Sequence, residues 1–97
     1  MKELFFTATA ENDLNQIYDY ISRDSIVYAK RFILLLRNQI FLISEQEFIG
    51  KKVEEANDNT IREFVIKNYR VFYKTDYLRV IILRIIHSRR NFSPEDL

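Results

Sequence analysis

The first half of the chain repeats apolar positions at helical spacing. Residues three or four positions apart predict one buried face of a first helix: Ala10, Leu14, Ile17, Tyr18 and Ile21. The hydroxyl of Thr7 or Thr9 can cap the start of this helix. Glu11 and Asp13 then place acidic groups in its first turn, where the helix dipole favours them. The pattern predicts an amphipathic helix that ends at the polar stretch 22–25.

A second helix with a wider apolar surface follows. Ser25 can cap its start, and its inward positions again repeat at helical spacing: Ala29, Phe32, Ile33, Leu36, Ile40 and Ile43. Four further apolar residues widen this stripe beyond one packed face: Leu34, Leu35, Phe41 and Leu42. Deeper burial in the core explains such a surplus, and so does a surface that binds a partner. The sequence leaves both explanations open.

The N-terminus and the second half of the chain predict β-strands. Short apolar or alternating runs occupy four segments: residues 4–6, 61–66, 69–74 and 78–87. Lys67 and Asn68 separate two of these runs, which is the spacing of a two-residue hairpin in which Asn68 can adopt a positive φ. The connection before them, residues 44–60, is polar and contains Gly50, the only glycine of the chain.

The last of these runs is apolar on both faces, which is typical of a central strand. We therefore expect residues 78–87 to pair with the preceding strand and with the N-terminal strand. The predicted class is α+β, with an N-terminal strand, an antiparallel two-helix hairpin on one face of the sheet and a three-strand antiparallel meander. We expect residues 1–97 to form a single domain. Ser93 and Pro94 predict either at most one helical turn or a mobile segment in the short tail, residues 91–97.

Composition excludes several kinds of site. The chain has no cysteine, so disulfides and thiolate chemistry are absent, and one histidine without cysteine cannot form a usual zinc site. Gly50 stands alone, so no glycine-rich phosphate loop is present. No apolar run is long enough to cross a membrane, and the N-terminus does not resemble a signal peptide. We expect a cytoplasmic protein that needs no metal and no cofactor.

The net charge of +1 is distributed unevenly along the sequence. Between residues 60 and 90, eight basic residues accompany only Glu63 and Asp76: Arg62, Lys67, Arg70, Lys74, Arg79, Arg84, Arg89 and Arg90. Such a segment favours an anionic partner, which includes nucleic acid, the ribosome and acidic proteins. A solvated charged surface is the alternative explanation, and composition does not decide between the two.

Six short motifs follow one another along nearly the whole chain: residues 10–21, Ala29-Lys30-Arg31-Phe32, Gly50-Lys51, Ile61-Arg62-Glu63, residues 69–73 and residues 85–90. Together they resemble the RelE/ParE superfamily of toxins from type II toxin–antitoxin systems, and the long helical hairpin is more similar to the ParE branch. That resemblance implies the fold predicted above, a toxin that poisons DNA gyrase, and a tightly bound antitoxin. Glu47 departs from the family pattern, in which a proline commonly stands at this position.

The superfamily also includes toxins that cleave mRNA on the ribosome, and this implies an alternative function. Cleavage by the 2′-hydroxyl needs proton transfer and a cation for the phosphorane charge, and five residues could provide them: His87, Arg62, Glu63, Arg70 and Arg84. Adjacent Arg62 and Glu63 point to opposite faces of a strand, so only one can share a surface with His87. Ser88 stands where some mRNA-cleaving relatives have tyrosine. These points favour a binding function over RNA cleavage. We then expect His87 to form a structural hydrogen bond and not to act in catalysis. A degenerate toxin that binds only its antitoxin is a third possibility.

Two sets of contact residues follow from the resemblance and from the charge pattern. We expect the gyrase target, or alternatively the ribosome and mRNA, to contact mainly basic residues and the C-terminal region: Arg62, Arg70, Arg89, Arg90, Asn91 and Phe92. Because an arginine in an apolar strand needs an acidic partner, Arg84 should be paired with a helix or with the antitoxin. We expect the antitoxin to form a hetero-oligomer with the toxin through an amphipathic, acidic segment that covers Leu34, Leu35, Phe41, Leu42 and Arg84.

Overall fold

The structure is a computed structural model that describes residues 1–91 and 93–97. Its elements follow the predicted order, with one short additional strand: β1 Glu3–Phe6, α1 Ala8–Ser22, α2 Ile26–Glu45, β2 Lys51–Lys52, β3 Arg62–Ile66, β4 Tyr69–Thr75, β5 Arg79–His87 and a 3-10 turn Pro94–Asp96. The predicted α+β class is confirmed, and so is the single helical turn of the tail. Neither helix in this part of the chain combines the length and the apolar composition that crossing a bilayer requires.

The strands form one mixed sheet in the order β1-β5-β4-β3-β2. β5 pairs antiparallel with β4 on one side and parallel with β1 on the other, where Leu4 lies opposite Val80 and Phe6 opposite Ile82. The prediction that the last strand is central is therefore confirmed. β1 ends opposite Ile82, so the rest of β5 on that side has no neighbouring strand.

Both helix starts are fixed by side-chain hydroxyls, as the sequence predicts. Thr7, rather than Thr9, caps α1 and accepts a hydrogen bond from the Ala10 N–H, while Ser25 caps α2 and accepts one from the Tyr28 N–H. A capping hydroxyl of this kind contributes about 1 kcal/mol to helix stability. Glu11 is the acidic residue of the first turn of α1. Asp13, which the sequence places beside it, is buried.

Two details differ from the prediction. β2 is an added strand in which the exposed Lys51 and Lys52 lie opposite Glu63 and Arg62. Two lysines show no alternation of apolar and polar residues, so the sequence of β2 does not predict a strand. Residues 51–52 are a strand because they pair with β3. In the hairpin between β3 and β4, Lys67 adopts the positive φ of 55° that was predicted for Asn68.

The main core lies between the two helices and one face of the sheet. Its fully or almost fully buried members come from every large element: Ala10, Leu14, Ile17, Leu36, Ile40, Ile43, Ile66, Val71, Tyr73, Val80, Ile82 and Ile85. Burying one large aliphatic side chain contributes about 1.5–3 kcal/mol. A smaller cluster on the opposite face joins Phe72 and Ile86 to Val53 and Ile61, with Leu97 packed against it. The middle of the sheet is therefore covered on both sides.

Candidate functional site

Arg84 is held by α1 at the point where β5 loses its neighbour. The pairing of β4 with β5 shifts by one residue at this point, so that Phe72 lies opposite Arg84 and the next residue, Tyr73, lies opposite Ile82. The Arg84 guanidinium donates to both carboxylate oxygens of Asp13, with distances of 2.9 Å from Nε to Oδ2 and 3.1 Å from Nη2 to Oδ1. The Ile85 N–H also donates to Asp13 Oδ2, at 2.9 Å. The prediction that Arg84 needs an acidic partner is confirmed, and this partner belongs to a helix of the same chain.

The pair between Arg84 and Asp13 is shielded from solvent, since only 13% and 8% of the two side chains are exposed. Hydrogen bonds from the Arg84 guanidinium to Asp13 raise the pKa of Arg84 above its ordinary value, against the opposing effect of burial. Nearby, the Thr7 hydroxyl donates to the Leu83 carbonyl at 3.0 Å. Thr7 and Asp13 therefore satisfy the edge of β5 that β1 leaves open.

The tail folds back onto the same region. Arg84 Nη1 donates to the Asp96 carbonyl at 2.9 Å, and the Asp96 carboxylate lies 3.7 Å from Arg90 Nη2. Leu97 reaches the smaller apolar cluster beside Phe72 and Ile86. The end of the chain is thus attached to the sheet through Arg84.

A second ion-pair group lies on the sheet face that turns away from the helices. Arg70 binds Glu63 on the neighbouring strand, with 2.9 Å from Nε to Oε2, and binds Glu55 at 3.1 Å and 3.2 Å. Its guanidinium also lies 4.9 Å from the centre of the Phe72 ring. Hydrogen bonds from Arg70 lower the pKa of the Glu55 carboxyl. The positive charge of Arg70 is therefore balanced by two carboxylates.

Arg62 instead fixes the loop that follows α2. Its Nη1 donates to the Gly50 carbonyl at 2.8 Å, and its guanidinium stacks 5.0 Å from the centre of the exposed Phe48 ring. The Tyr73 hydroxyl accepts from the Gly50 N–H at 2.9 Å and donates to the Glu47 carbonyl at 2.8 Å. Glu47 also forms a 2.7 Å ion pair with Lys2, and together these contacts hold the loop in place.

His87 lies at the end of β5, on the face covered by the helices. Its ring meets Tyr69 edge-on, with 5.2 Å between ring centres, and its Nδ1 accepts a hydrogen bond from the Arg89 N–H at 3.1 Å. The predicted structural hydrogen bond of His87 is therefore present. A shallow cavity beside it is also lined by Tyr20 of α1 and by Arg90.

The structure does not bring the five candidate nuclease residues together. His87 faces the helices, whereas Glu63 and Arg70 pair on the opposite face. Arg84 is occupied by Asp13 at the open edge of β5. Arg62 lies opposite Tyr73 of β4, whereas His87 lies opposite Tyr69 of the same strand. Tyr73 and Tyr69 are four residues apart, which separates Arg62 from His87 by about 13 Å along the strand direction.

The candidate target contacts also divide into groups. Arg89, Arg90 and Asn91 are exposed and adjacent at the end of β5. Arg62 and Arg70 lie elsewhere and are bound as described above. Phe92 lies outside the described residues. The remaining candidates thus form one small basic surface beside the cavity of His87.

The candidate antitoxin contacts divide in the same way. Leu34 and Phe41 point outward from α2, with 60% and 45% of their surfaces exposed. Leu35 and Leu42 are half-buried, and Leu35 packs against the main core. Deeper burial therefore explains part of the apolar surplus and leaves an outward stripe. Within residues 1–91 and 93–97, no group of three acidic or histidine side chains is arranged to hold a metal ion.

Three members of these sites were not predicted from the sequence: Asp13, Glu55 and Tyr73. Asp13 carried a usable signal, because it lies on the same helix face as the apolar Ala10 and Ile17. A carboxylate on an inward face requires a donor or a cation. Glu55 carried no comparable signal, since its pairing depends on how the loop 53–61 folds over the sheet.

Comparison with known proteins places this fold among toxins. The sequence profile of the family described as "ParE toxin of type II toxin-antitoxin system, parDE" matches residues 4–92. No curated protein gives a significant match.

Two solved structures share the fold at low sequence identity. A chain of the chromosomal ParDE toxin–antitoxin system from P. aeruginosa superposes with a TM-score of 0.76 and 20% identity, over 90% of this chain and 96% of that one. A chain of the toxin–antitoxin complex RelBE2 from Mycobacterium tuberculosis superposes with a TM-score of 0.68 and 22% identity, over 89% and 96%.

Proposed function

Because the chain belongs to the ParE toxin family of type II toxin–antitoxin systems, we propose that it arrests growth by binding DNA gyrase and that a cognate antitoxin neutralises it. One observation favours binding over RNA cleavage. His87, the only histidine, lies on the opposite sheet face from Glu63 and Arg70, so a proton-transfer group and these charged groups do not meet around one substrate. General acid–base catalysis needs such groups within hydrogen-bond reach of the same atoms.

The target would contact the surface formed by Arg89, Arg90 and Asn91. These residues are exposed at the end of β5, and no ion pair of Arg89 occurs within the described chain. Arg90 lies near Asp96, but the pair is long and more than half of the Arg90 side chain is exposed, which makes it weak. The C-terminal region, which we expect to contact the target, lies beside the same surface through the contact of Asp96 with Arg90.

The antitoxin would cover the outward stripe of α2 and bring acidic groups for the basic side of the toxin. Both solved structures named above belong to toxin–antitoxin systems, and Leu34 and Phe41 form exposed apolar surface that a partner would bury. Leu34→Asp should weaken the complex. Leu34 is a better test than Leu35, whose replacement would also disturb the core. Val65→Asp, an exposed apolar position on β3, serves as the matched control.

The ribosome-dependent endonuclease is the second candidate, and one observation favours it. His87 and Arg90 line the same cavity with two tyrosines, so a proton-transfer group and a cation are near each other there. The Asp13 carboxylate also lines this cavity, but it is occupied by Arg84. The two functions leave different damage in the cell, which makes them separable by experiment.

The test is inducible expression without an antitoxin, with DNA breaks and mRNA integrity measured separately. We expect growth arrest with DNA damage and intact transcripts, and inhibition of supercoiling by purified gyrase. Arg89→Ala/Arg90→Ala should reduce both effects, whereas Lys51→Ala/Lys52→Ala, which removes the same charge from β2, should not. Cleaved transcripts with undamaged DNA would overturn the proposal in favour of the nuclease. Normal growth of folded protein would indicate a degenerate toxin.

A further inference from the structure

The outward face of α2 carries two series of residues with seven-residue spacing. Val27, Leu34 and Phe41 form an apolar series, and Arg31, Asn38 and Glu45 form a polar one. Residues seven apart lie nearly in line along a helix, and residues offset by three or four lie beside them. The two series therefore form one narrow band. All six side chains are exposed.

We propose that this band binds a second copy of the same chain, with the two α2 helices antiparallel, when the antitoxin is absent. A symmetric dimer needs a surface that is complementary to itself. The order of charges along the band has this property, because it runs from a cation through an amide to an anion.

The position of the symmetry axis follows from the spacing. Arg31 and Glu45 are each seven residues from Asn38. A two-fold axis at Asn38 therefore places Arg31 of each copy against Glu45 of the other, which gives two ion pairs. The two Asn38 side chains meet at the axis, and a carboxamide can pair with its own kind because it both donates and accepts. A parallel arrangement would instead oppose like charges, which disfavours it.

The apolar residues fit the same register. Leu34 lies four residues before Asn38 and Leu42 four residues after it, so these two meet across the interface. Leu35 and Phe41 are three residues before and after Asn38, and they meet in the same way. The pairing therefore covers the exposed Leu34 and Phe41 and completes the burial of the half-buried Leu35 and Leu42.

The charged residues of the band are available for this contact. Within the described part of the chain, neither Arg31 nor Glu45 forms an ion pair of its own, and both are exposed. Arg37, which lies at the side of the band, is held by Glu11 of α1 at 3.2 Å. Its charge is thereby partly balanced before the second copy approaches.

The interface is small, since the band from Val27 to Glu45 is about 27 Å long and one helix wide. Interfaces of this size belong to weak complexes. We therefore expect reversible association that a tighter partner displaces. If the antitoxin covers Leu34 and Phe41, it competes directly with the second copy; this consequence rests on the proposed function, whereas the pairing does not.

Cysteine crosslinking tests the register, because the natural chain contains no cysteine. Purified full-length Asn38→Cys should form a disulfide-linked dimer under mild oxidation. Arg31→Cys should not, because an antiparallel pair separates its two copies of residue 31 by about 21 Å. Tyr77→Cys, on an exposed turn, measures random collisions. Equal crosslinking at positions 38 and 31 would indicate a parallel pair, and crosslinking at 38 no higher than at 77 would overturn the proposal.

Charge reversal tests the ion pairs through sedimentation velocity across a range of concentrations. Arg31→Glu and Glu45→Arg should each weaken association about tenfold, because each change opposes like charges twice. The combined Arg31→Glu/Glu45→Arg chain should regain wild-type association. Circular dichroism confirms that each variant is folded. A wild-type chain that remains monomeric at every concentration would overturn the pairing while leaving the proposed action on gyrase untouched, since no target or antitoxin is present.

Discussion

The carboxylate of Asp13 on α1 binds the guanidinium of Arg84 on β5, a residue 71 positions later in the chain, and the same carboxylate accepts the Ile85 N–H. One side chain thus joins a helix to the central strand where the neighbouring strand β1 has ended. Asp13 thereby gives the Ile85 N–H the acceptor that a neighbouring strand would otherwise provide.

Asp13→Ala should therefore destabilise the fold by about 3–5 kcal/mol, because it leaves the Arg84 charge buried without its partner. Glu11→Ala is the matched control on the same helix. Glu11 pairs with Arg37, but 43% of each side chain is exposed, so its loss should cost at most about 1 kcal/mol. Urea unfolding of both variants measures the difference. Equal losses of unfolding free energy would show that burial of the Asp13 pair has no special effect.

Gly50→Ala should destabilise the loop after α2. A Cβ at this position would lie 2.5 Å from the Glu63 carbonyl oxygen and 2.7 Å from the Tyr73 hydroxyl. Backbone must move to relieve these contacts, and overpacking of this kind costs about 1–3 kcal/mol or more. Thermal unfolding gives the measurement. Asn57→Ala is the control, because Asn57 is exposed in the same connection. Its unfolding free energy should stay within about 0.5 kcal/mol of that of the natural chain. An equally small loss of unfolding free energy in Gly50→Ala would contradict the close approach at Gly50.

Tyr73→Phe should reduce stability at neutral pH by about 1–3 kcal/mol, because the Gly50 N–H and the Glu47 carbonyl lose their shared partner. It should also change the response to alkali. Burial raises the pKa of Tyr73 above its ordinary value, so the folded state keeps its phenol proton more tightly than the unfolded state does. The stability from this difference is complete below the unfolded pKa of about 10 and is lost as the pH rises through the folded pKa.

Urea titrations between neutral and strongly alkaline pH test this dependence. The natural chain should lose unfolding free energy steadily in the alkaline range, and Tyr73→Phe should lose less. Tyr77→Phe is the control, because Tyr77 is almost fully exposed and its removal should leave the alkaline slope unchanged. An alkaline slope that is the same in all three proteins would assign it to other groups.

His87→Ala should leave growth arrest intact. The ring contributes an edge contact to Tyr69 and a hydrogen bond from the Arg89 N–H, so we expect a modest loss of stability and no loss of gyrase inhibition. Colony formation after induction, with the soluble protein level measured in parallel, gives the result. Complete loss of toxicity in a folded His87→Ala chain would support a catalytic role and the nuclease.

Local signals account for the part of the fold that the sequence predicts. Ser25 caps α2 by accepting the N–H of Tyr28, only three residues later. Residues 79–87 are apolar on both faces, which is sufficient to identify a central strand. β2 and the positive φ of Lys67 were not predictable in this way. Lys51 and Lys52 form a strand only because β3 lies beside them, and the hairpin conformation depends on the register of the two strands it joins.

The same distinction applies to the site. The need of Arg84 for a carboxylate follows from its position in an apolar strand, but the choice of Asp13 requires knowing how α1 crosses β5. The opposite orientation of Arg62 and Glu63 follows from strand alternation. The pairing of Glu63 with Arg70 does not, because it depends on the register that sets Phe72 opposite Glu63.

The order of the strands also affects the chain while it is being synthesised. β1 joins the sheet through β5 alone, so residues 3–6 leave the ribosome first and must wait for residues 79–82 before they have a strand to pair with. Contacts between such distant segments form late and slowly. We therefore expect the nascent chain to remain incompletely folded until translation is almost finished. Under the proposed function, this delay keeps the chain from acting on its target while it is still being synthesised.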